Sequence, residues 1–181
     1  FTTLMSDMPL KDACKYFKSI GCDMIEIGCG GYPGNAHADP EKLLNDEAAF
    51  NEFMATIKDA GLEVSALSCH GNPVHPQKEL AEMYDKTIRN TILLAEKMGL
   101  HQINTFSGCP GDCPDSKYPN WVTCPWPEDF LKILDWQWNE VLIPYWKKTV
   151  EFAKAHGVNK IAFELHPGFC VYNTDSLKKI R

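Results

Sequence analysis

Glu164 and His166 stand two residues apart at the end of the apolar run Lys160–Leu165. If that run is a strand, the period of two puts both side chains on one face, together with Ala162. A carboxylate at the mouth of an apolar strand has little structural use, whereas a metal ion or an acid/base step needs one there. The plain alternative is a Glu leaving into solvent and a His capping the turn at Pro167-Gly168. His70 holds the matching place after the run Glu63–Ser68, with His75 further along the same loop. The segment His70-Gly-Asn-Pro-Val-His-Pro76 has the turn residues of a tight loop. It could present the His70 imidazole and the Asn72 amide to a small polar ligand, or both histidines could satisfy local backbone groups. Asn104 and Ser107 close another short run and offer hydrogen bonds that suit sugar hydroxyls, although both also serve as ordinary turn residues. Glu26 points to the face opposite Ile25 and Ile27; a buried charge there needs a partner.

Cys109-Pro-Gly-Asp-Cys113, with Cys124 downstream, has spacing compatible with zinc, but a closed site takes four ligands and no second close pair exists. A disulfide or free thiols in a Pro-rich loop are the alternatives. In the same loop Tyr118, Trp121 and Trp126 could stack on a sugar's apolar face or pack a lid on itself. Trp136, Trp138 and Trp146 fall at helical positions and read as packing residues. Gly28-Cys-Gly-Gly31 lacks the second half of either phosphate-binding pattern and reads as a flexible turn.

The elements that position these residues follow from a loose internal repeat. Phe17–Ile27, Ile57–Leu67, Ala95–Thr105 and Ala153–Phe163 each contain a helix end, a glycine and a short apolar strand. Gly21, Gly61, Gly99 and Gly157 sit where a helix stops in the left-handed conformation. Apolar residues before them recur at helical spacing, as in Leu10, Ala13, Cys14 and Phe17. Helix, glycine, strand, loop, helix is the grammar of a parallel sheet. The loops after the strands are long, above all Ser107–Pro127, while the helix-to-strand turns are short. That asymmetry is what a site at the carboxyl ends of parallel strands requires. The stretch from Asp129 to His156 reads as two helices, with Pro144 in the first turn of the second.

The chain has 181 residues, 44% of them hydrophobic and 23% charged, enough for one domain with a core. No apolar run reaches the roughly 20 residues that span a bilayer. Eighteen Lys and Arg against 24 Asp and Glu leave a formal charge of −6, without a basic cluster, which disfavours a phosphate backbone as partner. Eight scattered cysteines suggest reduced thiols and a cytoplasmic setting. The first residue is Phe1 and no signal-peptide pattern follows, so the chain is expected to start part-way through its first element.

Three segments together are familiar: Glu164-Leu-His-Pro-Gly-Phe-Cys-Val-Tyr-Asn173, His70-Gly-Asn-Pro-Val-His-Pro76 and Asn104-Thr-Phe-Ser-Gly-Cys-Pro-Gly-Asp112. They resemble the sugar phosphate isomerase/epimerase family, the xylose-isomerase-like branch of the (β/α)8 TIM barrels. That branch also holds tagatose epimerases, hydroxypyruvate isomerases, inosose dehydratases and type IV AP endonucleases. The resemblance implies one α/β domain over residues 1–181, an incomplete barrel from the end of strand 1 to helix 5. It implies a metal-dependent isomerase or epimerase acting on a sugar or sugar phosphate through an enediolate. Glu164 would be both a ligand of a divalent ion (Mn, Mg, Co or Zn) and a catalytic carboxylate, with the remaining ligands beyond Arg181. His166 would join it in catalysis, and His70, Asn72, Asn104, Ser107, Trp121 and Tyr172 would bind substrate. The expected partner is a small sugar, with no nucleic acid or membrane and with a homo-oligomer possible. A polyol dehydratase of the same branch and a non-catalytic sugar-binding barrel are the alternative readings.

Overall fold

The computed structural model describes all residues, Phe1–Arg181. Four parallel strands form one sheet in sequential order: β1 (Met24–Gly28), β2 (Glu63–Ser68), β3 (Gln102–Thr105) and β4 (Lys160–Phe163). Sequential order with a helical crossover after each strand is the start of a (β/α) barrel wall. The crossovers are α2 (Pro40–Asn45) and α3 (Glu47–Asp59), then α4 (Lys78–Lys97), then α5 (Asp129–Trp136) and α6 (Ile143–Ala155). Helix α1 (Leu10–Ser19) leads into β1, and α7 (Thr174–Ile180) follows β4.

The repeat glycines act as the sequence predicts. Gly21, Gly61, Gly99 and Gly157 have φ of 88°, 71°, 71° and 74°. Past each one the chain closes a Schellman turn: Cys22, Leu62, Leu100 and Val158 donate their N–H groups to Phe17, Ile57, Ala95 and Ala153. The same capping geometry therefore aims each strand into the sheet at the same point relative to its helix.

Strand parity separates two faces. Ile25, Ile27, Leu67 and Ile103 are fully buried and join a core with Phe17, Phe53, Ile57, Ile88, Ile92, Trp146 and Ala153 from the helices. Register pairs Glu26 with Ala66, Ser68 with Asn104 and Asn104 with Ala162, so the other face, the barrel interior, carries polar side chains among small alanines. The core thus lies between sheet and helices, and the interior face is left for chemistry.

One local expectation is revised, and two details are added to the others. Residues Thr2–Met5 wind into a 3-10 turn, not the tail of a strand, and Thr2 Oγ1 accepts a 3.4 Å hydrogen bond from the Gly28 N–H at the end of β1. Asp39 caps the additional helix α2 by accepting from the N–H groups of Glu41 and Lys42. Between α5 and α6 the turns widen into a π-helical segment, Gln137–Leu142, before Pro144 enters the first turn of α6. That bulge puts Gln137 under the long loop, where its Nε2 donates to the carbonyls of Gly111 at 2.8 Å and Asn120 at 2.7 Å. No helix is long and apolar enough to cross a membrane.

Candidate active site

β2 and β4 deliver the central pair. Ser68 ends β2 and His70 lies two residues further on, and Glu164 extends β4 with its N–H bonded to the Thr105 carbonyl at 3.0 Å. His70 Nε2 comes to 3.0 Å from Glu164 Oε2. The His70 side chain is 4% exposed and that of Glu164 56%, so a buried imidazole meets a carboxylate open to solvent. Nε2 is buried and makes no hydrogen bond of good geometry; the Glu164 carboxylate is its polar contact. An unpaired buried nitrogen is costly unless a ligand or a shift of the carboxylate satisfies it.

Burial lowers the His70 pKa from its ordinary value, and the nearby carboxylates of Glu164 and Glu26 oppose that effect only in part. His70 is therefore neutral at neutral pH, a donor or acceptor rather than a cation. Glu26 reaches the interior from β1 and finds the partner that its position requires, because Ser68 Oγ donates to its carboxylate. Two carboxylates thus flank His70.

An aromatic wall closes one side of the pair. The Phe106 ring stands edge-on to His70 with centroids 4.5 Å apart and stacks on Phe169 at 4.1 Å. Tyr32 packs against Phe106 and Phe169, and Tyr84 packs against Tyr32. Burial pushes the Tyr32 phenol up to about 12, aided by its hydrogen bond with Tyr84. The turn after β1 passes directly over His70: Tyr32 N–H donates to the His70 carbonyl at 2.8 Å. Gly31, with φ of 71°, is required there, since a Cβ at that position would run into the same carbonyl.

The remaining expected site residues have other placements. His166 is exposed; its Nδ1 lies 2.6 Å from the Pro167 carbonyl and its ring 5.1 Å from that of Phe106, so it caps its turn and edges the wall. Asn72 is buried and spends its amide on a clamp, donating to the Cys109 carbonyl at 2.8 Å and accepting from the Cys109 N–H at 3.0 Å. Ser107 is also buried, accepting from the Val171 N–H at 2.9 Å, which ties the loop after β3 to the loop after β4. Both side chains shape the site's frame and present no free polar atom to it. Asn104 faces the interior and accepts from Gln102 Nε2. Trp121 and Tyr172 pack edge-to-face on each other at 5.2 Å, and no hydrogen bond or ring contact joins them to His70 or Glu164. His75 accepts from the Gln77 N–H within its own loop. Cys109 is buried while Cys113 and Cys124 are exposed, so the three do not share a site.

Sequence reasoning missed Phe106, Phe169 and the Glu26–Ser68 bond as site features. A signal existed for Phe106, which lies two beyond Asn104 and so shares its face. Phe169 reaches the wall through an irregular turn that no periodicity describes.

Residues 14–181 match the model of the xylose isomerase-like TIM barrel family, and the chain belongs to it. It is 35% identical to the uncharacterized protein YfiH of Bacillus subtilis (strain 168) over 182 residues, which is 99% of this chain and 58% of the relative. Among solved structures it resembles a xylose isomerase-like TIM barrel protein from Mycobacterium smegmatis in complex with magnesium. That likeness has a TM-score of 0.62 and 17% identity over 97% of this chain and 53% of the other. A second likeness, at 0.54 and 12% identity, is to D-psicose 3-epimerase with D-tagatose from Clostridium cellulolyticum H10, covering 94% of this chain and 54% of that one. The chain spans about half the length of these proteins.

One of those neighbours holds a divalent ion, magnesium. No group of three or more His, Cys, Asp or Glu side chains converges to hold a metal ion, and Glu164 supplies a single open carboxylate. These residues alone do not make a metal centre.

Proposed function

We propose that this chain carries half of the active site of a sugar isomerase or epimerase, with Glu164 as the residue that moves the substrate proton. The observation that supports this reading most is the His70–Glu164 pair at the carboxyl ends of the strands, with its unbonded buried nitrogen. Glu164 is exposed enough to reach a carbon-bound hydrogen next to a ketose carbonyl. Its removal leaves an enediolate, and return of the proton to the neighbouring carbon or the opposite face gives an aldose or an epimer. Neutral His70 is placed to hydrogen-bond the oxygen on which negative charge develops, and burial makes that bond stronger than it is in water. The Phe106–Phe169 wall fits the C–H face of a sugar ring or chain. Similarity to an epimerase that binds D-tagatose favours a ketose as substrate.

The metal belongs to the proposal as a property of the whole protein, where Glu164 would be one ligand among donors outside these residues. A non-catalytic sugar-binding barrel is the second reading, favoured by the lack of three converging ligands. Elemental analysis of the full-length protein after gel filtration separates them. The enzyme reading predicts a divalent ion at about one per chain that falls on substitution of Glu164 by Gln; a metal-free protein that still binds ketoses supports the other.

A further inference from the structure

Pairing between β2 and β3 runs one residue past β2 and stops at Cys69, whose N–H donates to the Asn104 carbonyl at 3.0 Å and whose carbonyl accepts from Thr105 Oγ1 at 3.1 Å. His70 comes next, beyond that last rung. The following link between the two loops is made by a side chain. The Asn72 amide, on a residue 2% exposed, donates to the Cys109 carbonyl at 2.8 Å and accepts from the Cys109 N–H at 3.0 Å. Asn72 lies two residues after His70 and Cys109 three after Phe106, and between the two links the His70 and Phe106 rings meet edge-on at 4.5 Å. We propose that Asn72 is a positioning residue for the proposed reaction: its two-point clamp on Cys109 sets the place of the His70 imidazole against the Phe106 wall and Glu164. This inference rests on the role given to His70 in that reaction.

An amide is the side chain that this clamp requires. Cys109 offers one buried backbone donor and one buried backbone acceptor, and Asn carries a neutral acceptor and a neutral donor side by side to satisfy both. The amide stands in for the peptide group that a longer β2 would have supplied, and it leaves the backbone of His70 and Gly71 free to turn. Close contacts leave the clamp little room to slide. A Cβ at Gly108, where φ is 85°, would come within 2.9 Å of Asn72 Oδ1 and 2.6 Å of Val74 Cγ2, and one at Gly71 would overlap the Tyr84 ring. On the other side the Tyr32 N–H holds the His70 carbonyl at 2.8 Å. His70 is thus set between a hydrogen bond at its own carbonyl and a side-chain clamp two residues on. Such placement matters for a donor to a developing oxyanion, because a displacement of about 1 Å can cost on the order of 100-fold in rate. Asn72 acts through His70 and Phe106 and not on the substrate.

The test compares wild-type full-length protein with Asn72→Asp, which keeps the size of the side chain and an acceptor for the Cys109 N–H but sets an oxygen against the Cys109 carbonyl. Two readings are taken on the folded variant: kcat and KM for a ketose that the wild type turns over, and the imidazole resonances of histidine-labelled protein by NMR. His70 is assigned by its loss in His70→Gln. His101, whose ring lies 2.9 Å from the Gly157 carbonyl at the other end of the sheet, is the reference. The expected result is a kcat lowered by about 10-fold or more with KM within about 3-fold, a shifted His70 resonance and an unshifted His101 one. If Asn72→Asp does not fold, Asn72→Ser, smaller and uncharged, is read in the same way. The proposal is overturned if kcat or the His70 resonance keeps its wild-type value in a folded variant. It is also overturned if neither variant folds, since the clamp would then serve the fold and not the reaction. A wild type that turns over no ketose would sink the Glu164 reading instead, and the His70 resonance would then decide the clamp by itself: a shift supports it and no shift overturns it.

Discussion

In the proposed reaction Glu164 and His70 divide one task between two environments. The carboxylate keeps its solvent access, while the imidazole is desolvated and neutral. Replacing Glu164 by Gln preserves shape and removes the base. Turnover of a ketose by the full-length protein is expected to fall by at least about 100-fold, the usual scale for a positioned acid/base group, with the far-UV spectrum unchanged. The frame around the pair is held by buried polar residues, and these can be tested by stability. Ser107→Ala leaves the Val171 N–H buried without an acceptor, a loss of about 1–3 kcal/mol. Urea denaturation should show a lowered midpoint with an unchanged slope; a neutral result would mean that the two loops are not joined through this hydroxyl. Which side chains converge in the candidate site was only partly legible in the sequence. Strand-end position identified Glu164 and His70, because a period of two is all that their placement needs. Asn72 and Ser107 have side chains of the right type for a ligand but are consumed by backbone groups of a neighbouring loop. Sequence spacing carries no information about that.

At the level of elements, the repeated Schellman turns explain why the strands were readable at all. Glycine after an amphipathic helix is a local signal with one physical meaning, and it recurs four times with the same φ sign. The π-helical segment is different: nothing in Gln137–Leu142 marks a wider turn, which is fixed by Gln137 reaching the carbonyls of the long loop. The turn after β1 offers a sharper test. Gly31 and Gly34 both have φ of 71°, but a side chain at Gly34 meets open space while one at Gly31 meets the His70 carbonyl. Gly34→Ala should cost only the left-handed backbone strain of about 1–2 kcal/mol. Gly31→Ala should cost more and should also displace Tyr32, read as a change in tyrosine fluorescence or near-UV dichroism. Equal effects of the two substitutions would contradict the close approach of this turn to His70.

For the molecule as a whole, net charge and sheet edges set the terms. A formal charge of −6 with no basic cluster leaves little to neutralise phosphates. Fluorescence anisotropy with duplex DNA is expected to show no binding at 0.1 M salt; tight binding that weakens steeply with salt would contradict this and favour the nuclease branch of the family. Four parallel strands with polar side chains on one face and a helix-covered core on the other form a wall of a barrel. Length alone suggested a comfortable domain, and only the count of strands showed how much of a barrel is present. The central claim concerns the carbon-bound proton, and solvent exchange reads it without knowledge of the final product. Full-length protein incubated in D2O with D-tagatose, D-psicose and D-fructose should place deuterium on the carbon beside the carbonyl of at least one of them. Glu164→Gln should abolish this incorporation. Unchanged exchange in the Glu164→Gln protein, or none with any ketose in a wild-type protein shown to bind one of them, would contradict the account.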